Sequence, residues 1–198
     1  WRDIKDYDIS KNNTFFENSL ICLLNEAKYN NNYLGNKKDT NRWFMYPHMV
    51  NAYYSPLSNE IVFPAGILQN PFFSSQNNIG MNFGGIGAVI GHEIIHGFDD
   101  QGRKYNGDGQ LYDWWSEEDR TNFVKLTDNL VDIYSNIKIY DTNVNGRLTL
   151  GENIADLGGV TLAYYSLMEY LKENPSENVC NEHFDCFQWL FINYANIW

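Results

Sequence analysis

"GAVIGHEIIHGFDDQGRKY", residues 87–105, sets two histidines four apart with a glutamate between them inside an apolar run. Residues four apart on an α-helix project from the same face. His92 and His96 can therefore aim both imidazoles at one ion, and Glu93 can reach a water on that ion. This is the His-Glu-x-x-His arrangement, and neutral imidazole suits Zn²⁺. Ile86, Val89, Ile90, Ile94 and Ile95 give the pair a dry, rigid mounting. The competing reading is a pair of core histidines bonded to backbone. Three ionisable groups on one apolar helix are costly to bury without a partner, which favours the metal. A catalytic zinc takes three protein ligands and keeps one position open, so a third ligand has to come from elsewhere.

Working outward, "GENIAD" places Glu152 and Asp156 four apart on a second predicted helix. They share a face with Ala155 and Gly159, small residues that let another helix approach. Thr149-x-x-Glu152 is also a capping-box signature, so spacing alone leaves Glu152 open between cap and ligand. Thiolate ligation is not indicated, because no Cys-x-x-Cys occurs. The three cysteines are Cys22, Cys180 and Cys186. Cys180 and Cys186 are the nearest pair, and the odd count leaves at least one thiol without a partner in the chain.

Periodicity predicts helices over residues 15–27, 83–98, 114–136 and 149–171, and a last one across "CFQWLFINYANIW". Ser116 is the expected N-cap of the third, ahead of Glu117, Glu118 and Asp119. Phe187, Leu190, Phe191, Tyr194 and Trp198 form the expected apolar face of the last. Gly84, Gly85, Gly87 and Gly91 are costly inside a helix and predict close packing against other backbone. Residues 50–54 and 60–63 suit two strands joined by a turn at 55–59, with Pro64 ending the second. Asn106-Gly107-Asp108-Gly109 is a turn cluster whose frame does not fit a calcium loop.

The 198 residues carry 14 basic and 25 acidic side chains, a net charge of -11, with no basic cluster. That excludes a nucleic-acid surface, which needs concentrated positive charge. Hydrophobic residues at 43% and aromatics at 16% place the chain among globular proteins rather than disordered ones. No apolar run reaches membrane-spanning length. The chain starts without Met and stops at Trp198 in an aromatic segment, and is expected to be a piece of a longer protein.

"VNAYY", "GHEIIHGFDD" and "GENIADLGG" occur in that order. With these three blocks the sequence closely resembles the neprilysin and endothelin-converting-enzyme family of zinc endopeptidases, from about Trp43 to Trp198. The resemblance implies an α+β, mainly helical fold: a thermolysin-like (gluzincin) catalytic domain with a small edge sheet. It implies that residues 43–198 form this domain, cut short at its C-terminus, and that residues 1–42 lead in from an upstream region. It implies one Zn²⁺ per chain held by His92, His96 and Glu152, with Glu93 as general base. Asp99 and Asp156 would orient the zinc histidines, since a carboxylate taking the far ring N–H fixes the tautomer. Asn51 and Ala52 would hydrogen-bond the substrate backbone, and Ile67, Phe72, Val89 and Trp198 would form a hydrophobic specificity pocket.

The expected substrates are oligopeptides, cut on the N-terminal side of a hydrophobic residue. The family's oxyanion-stabilising His and a substrate-binding Arg belong to a block with no match here; neither His48 nor His183 occupies it. An alternative is therefore a zinc-bearing but inactive binding module or fragment. By resemblance the location is the cell surface for an animal-like member, through an N-terminal anchor outside this chain, and soluble for a bacterial-like one.

Overall fold

The computed structural model describes residues 7–36, 42–178, 180 and 183–198. The chain divides between Phe44 and Met45 into two compact units. The first carries helix α1, Phe15–Asn31. The Thr14 hydroxyl accepts the Glu17 N–H, and the Glu17 carboxylate takes the Thr14 N–H in return, which closes a capping box. The helix runs past the predicted end at residue 27, and the chain turns at Gly35 with φ +76°. None of its residues is buried. Residues 1–6 and 37–41 of the expected lead-in segment lie outside the described residues.

The second unit opens with a two-stranded antiparallel hairpin, β1 (Tyr53–Ser55) and β2 (Glu60–Val62). Asn59 makes the turn at φ 49°, a conformation that asparagine tolerates. Pairing starts at Tyr53 rather than at residue 50. Register explains this. Tyr53 pairs with Val62, so Pro64 would fall opposite Asn51, and proline has no N–H for a ladder. Asn51 and Ala52 thus precede the strand.

The predicted helix over 83–98 is a π turn and a shorter α-helix, with one more short helix ahead of it. Helix α2, Ile79–Asn82, runs into a π turn at Phe83–Gly87 and then into α3, Ala88–Ile95, with His96 at the C-cap. Helix α4, Glu117–Ser135, starts as expected at Ser116, whose hydroxyl accepts the Asp119 N–H. A small hairpin follows, β3 (Lys138–Ile139) and β4 (Thr142–Asn143). Helix α5 spans Leu150–Glu173 and α6 spans Cys186–Asn196. Cys180 and Cys186 are disulfide-bonded and Cys22 is free. The Asn106 cluster is a turn, its carboxamide oxygen accepting the N–H groups of Asp108 and Gln110. Among the described residues no helix is long and apolar enough to cross a membrane.

Helix α3 packs chiefly on α5. One apolar cluster joins them to α6 through Ala88, Ala163, Leu167, Leu171, Cys186 and Leu190. A second, built on Ala52, Ile67 and Val89, ties the start of the hairpin to α3. On α6 the buried positions are Cys186, Leu190 and Asn193, while Phe191 stays half exposed and Trp198 lies past the helix end. The glycine expectation holds at Gly84, Gly85 and Gly91, where an added Cβ would come within 2.6 Å of a backbone carbonyl oxygen. At Gly87 the nearest such atom is 3.4 Å away, so Gly87 is not a contact of this kind. The decisive approach is Gly91 against Gly159, where Cβ atoms would lie 2.6 Å from Gly159 O and 2.5 Å from His92 N.

Gly91→Ala should therefore force α3 and α5 apart and destabilise the fold by about 1–3 kcal/mol, the usual cost of overpacking. A urea titration followed by circular dichroism reads this directly. A midpoint equal to that of the unsubstituted protein would show that the two helices have room to spare.

Candidate metal centre

Helix α3 presents His92 and His96 on one side, their ring centroids 4.5 Å apart and the rings nearly perpendicular. His96 keeps helical dihedrals at the C-cap, so the four-residue relation survives the end of the helix. The close approach at Gly159 brings the first turns of α5 against this side. His92 Nδ1 donates to Asp156 Oδ1 at 2.8 Å, and His96 Nδ1 donates to Asp99 Oδ2 at 2.7 Å. An ionised carboxylate only accepts, so each Nδ1 carries a proton, and in the neutral imidazole this makes Nε2 the nitrogen with the lone pair.

The two Nε2 atoms lie 2.9 Å apart, and Glu152 Oε2 sits 3.3 Å from His92 Nε2 and 3.6 Å from His96 Nε2. Three electron-pair donors facing one another repel unless a cation stands among them. Ligands 2.0–2.1 Å from a tetrahedral centre are about 3.3 Å apart, so the spacing matches such an ion. His92, His96 and Glu152 form a cluster capable of holding a metal ion. The capping alternative for Glu152 fails on geometry: Thr149 makes no side-chain cap bond, and its hydroxyl instead accepts from Asn153 Nδ2 at 2.9 Å.

Asp99 holds a second position in the design. Its Oδ1 accepts the N–H groups of Gln101 and Gly102 at 2.8 and 2.7 Å, which folds the chain back just after α3. Burial works against the Asp99 charge, but the His96 hydrogen bond and these two backbone donors outweigh it and hold the carboxyl below its usual range. For His96, burial disfavours the cation, yet the Asp99 hydrogen bond and the charges of Glu152, Asp99 and Glu93 push its pKa up. Glu93 is only 6% exposed. Burial raises its pKa above the normal carboxylate range, despite the pull of His92 and His96. Tyr194 is pushed up to about 12, by burial first and then by the charge and hydrogen bond of Asp156.

His92, Glu93, His96, Asp99 and Glu152 line one cavity of about 580 Å³, a size ordinary for a ligand site. Asn51, Ala52, Ile67, Phe72, Val89 and Trp198 line the same cavity, so the structure brings together every candidate substrate contact. Asn51 is exposed and Ala52 buried, and Trp198 is 71% exposed with its ring centroid 6.1 Å from that of His92. Tyr54, Gln101 and Ile197 also line the cavity and were missed from sequence. Tyr54 was findable, since it lies two residues from Ala52 and a strand repeats its faces every second residue.

The profile described as Peptidase family M13 matches residues 51–198. The chain is 44% identical over 195 residues to an endothelin-converting enzyme homolog of Locusta migratoria, covering 98% of this chain and 27% of that protein. It is 45% identical over 188 residues to mouse membrane metallo-endopeptidase-like 1, covering 93% of this chain and 25% of the other. The inhibitor-bound crystal structure of the Mycobacterium tuberculosis zinc metalloprotease ZMP1 superposes with a TM-score of 0.92 at 42% identity, covering all of this chain and 31% of that one. The chain thus spans about a quarter of the length of the curated relatives it matches. The mainly helical fold with its small edge sheet is that of a gluzincin-type catalytic domain. With the profile running unbroken through both halves of the donor cluster, the chain belongs to peptidase family M13.

Proposed function

We propose that this chain carries the zinc site and general base of a metalloendopeptidase that hydrolyses oligopeptides on the N-terminal side of hydrophobic residues. The observation that carries the reading is the convergence of two Nε2 lone pairs and one carboxylate, with each opposite ring nitrogen tied to its own aspartate. One Zn²⁺ per chain fits this donor set, with His92, His96 and Glu152 as ligands. Bound there, it supplies a Lewis acid that lowers the pKa of a coordinated water to about 7 and polarises a carbonyl oxygen.

The protein's own groups do the rest. Glu93, made more basic by burial, takes a proton from the attacking water as its oxygen bonds to the carbonyl carbon. It then passes that proton to the amine nitrogen as the C–N bond breaks. Asp99 and Asp156 hold the imidazoles in one tautomer and one orientation. Asn51 and Ala52, at the mouth of the hairpin, offer backbone and carboxamide groups to an extended peptide. Ile67, Phe72, Val89 and Trp198 accept the hydrophobic side chain. The relatives' names support the peptidase class, and the substrate assignment extends from them to this chain.

A second reading has one observation behind it. Among the described residues, His48 and His183 do not line the cavity and the imidazoles that face it are those of His92 and His96. Loss of one oxyanion donor costs about 10²–10³ in rate, and a metal-holding module with little or no turnover is the rival.

Three outcomes are expected. A quenched fluorescent peptide with a central Phe or Leu should be cut by the zinc-loaded protein and spared when a chelator is present; zinc-loaded protein that leaves it intact favours the rival. Glu93→Gln should keep its zinc by elemental analysis and lose at least about 10²-fold in cleavage, whereas loss of zinc would remove Glu93 from the role of base. Asp156→Asn should weaken zinc binding by about 10- to 100-fold in chelator competition. An unchanged affinity would mean that His92 needs no such support.

A further inference from the structure

The π turn at Phe83–Gly87 sits directly before α3, and Gly85 within it departs from helical dihedrals at φ -91°, ψ -106°. A π turn inserts one extra residue into the helical ladder and redirects peptide groups, and such turns gather at functional sites. Here the redirected groups hold one loop. Ile86 N–H, which in a regular helix would donate to Asn82, donates to Phe72 O at 2.7 Å. Asn193 of α6 reaches the same place from the other side. Its Nδ2 donates to Met81 O at 2.7 Å and to Pro71 O at 3.0 Å. Asn193 is 2% exposed, so both bonds are made out of water. A Cβ on Gly85 would lie 2.2 Å from Phe72 O and 2.9 Å from Asn193 Nδ2, so only glycine lets helix, loop and carboxamide meet.

The loop so held carries Phe72, which lines the cavity and packs on the Ala52–Ile67–Val89 cluster. Helix α6 also acts on the cavity directly. Ile197 donates its N–H to Asn193 O at 3.1 Å, and Ile197 and Trp198 both line the cavity. One helix therefore fixes two apolar walls: Ile197 and Trp198 by its own chain, Phe72 through the Asn193 carboxamide.

We propose that Asn193 is a positioning residue that sets the span between Phe72 and the Ile197–Trp198 wall, and through it the size of hydrophobic side chain accepted. This rests on the reading of the cavity as a peptide site. The carboxamide matters because both its protons are spent on carbonyls of two segments that the helix ladder does not otherwise join. An apolar side chain of the same size would leave Pro71 O and Met81 O without this donor. The loop would then keep the Ile86 N–H to Phe72 O and the two bonds between Asn82 and Ser74, so its Pro71 end would loosen and the distance between the walls would be held less tightly.

The test uses zinc-loaded protein and hydroxamate-capped dipeptides that differ only in one side chain: glycine, alanine, leucine or phenylalanine. Binding is read by calorimetry, so turnover is not needed. The unsubstituted protein should prefer phenylalanine or leucine over alanine by about 10- to 100-fold, the worth of burying the larger side chain. Asn193→Leu should keep its zinc and its affinity for the glycine probe while that preference narrows to about threefold or less. A variant that holds zinc and keeps the full preference overturns the role of Asn193 alone. Failure of the unsubstituted protein to bind zinc, or to discriminate among the probes, overturns the peptide-site reading and this proposal with it. Should the variant not fold, hydrogen exchange on the unsubstituted protein decides: the phenylalanine probe should slow exchange at the Ile86 amide more than the glycine probe does, and equal protection overturns the proposal.

Discussion

The contact of α3 with α5 at Gly91 and Gly159 is the constraint on which the rest depends. Two backbones meet there at a distance that leaves no space for a β-carbon on either side. The cost of glycine in a helix is real, about 1 kcal/mol per residue. Its return is position. Only at this separation do the first turns of α5 bring Glu152 and Asp156 to a pair of imidazoles sixty residues earlier in the chain. A wider crossing would leave His92 buried without its aspartate, an expensive arrangement with no compensating bond.

The site is in turn organised by division of labour among carboxylates. Glu93, Asp99, Glu152 and Asp156 all surround two histidines, yet each meets a different environment. Asp99 is held ionised by backbone donors and His96, whereas Glu93 is driven toward neutrality by burial. Asp156 is backed by Tyr194, and Glu152 is the most exposed of the four. Glu93 and Asp99, of similar intrinsic acidity, thus shift in opposite directions because of where the chain places them.

Much of this was legible in the sequence. The helix period alone put His92 with His96, and Glu152 with Asp156, on shared faces, because polar groups in an apolar run stand out against the pattern. The α4 start was readable because Ser116 precedes three acidic residues. Other features depend on partners far along the chain. Whether Glu152 capped α5 or faced the histidines could not be decided by spacing, since both uses need the same residue at the same place. The late start of β1 follows from a proline eleven residues on that only a register brings opposite. Asn193 was the least visible. An asparagine in an amphipathic helix reads as part of the wet side, and only the tertiary structure shows two carbonyls that need its protons.

The hairpin has a consequence of its own. With two strands of three residues each, it sets β1 as a short strand beside residues that line the cavity, its Tyr54 N–H turned to the Glu93 carboxylate. On the proposed peptide-site reading, a short strand of this kind would recognise main-chain N–H and C=O groups and be blind to side-chain identity. It selects by conformation: a segment already wound in a helix or paired in a sheet has no such groups to offer. A chain free to lie extended would be the one to dock on that reading, its ordering entropy set against the bonds it gains. On the proposed peptidase reading, foldedness of the incoming polypeptide would act as a filter distinct from its sequence.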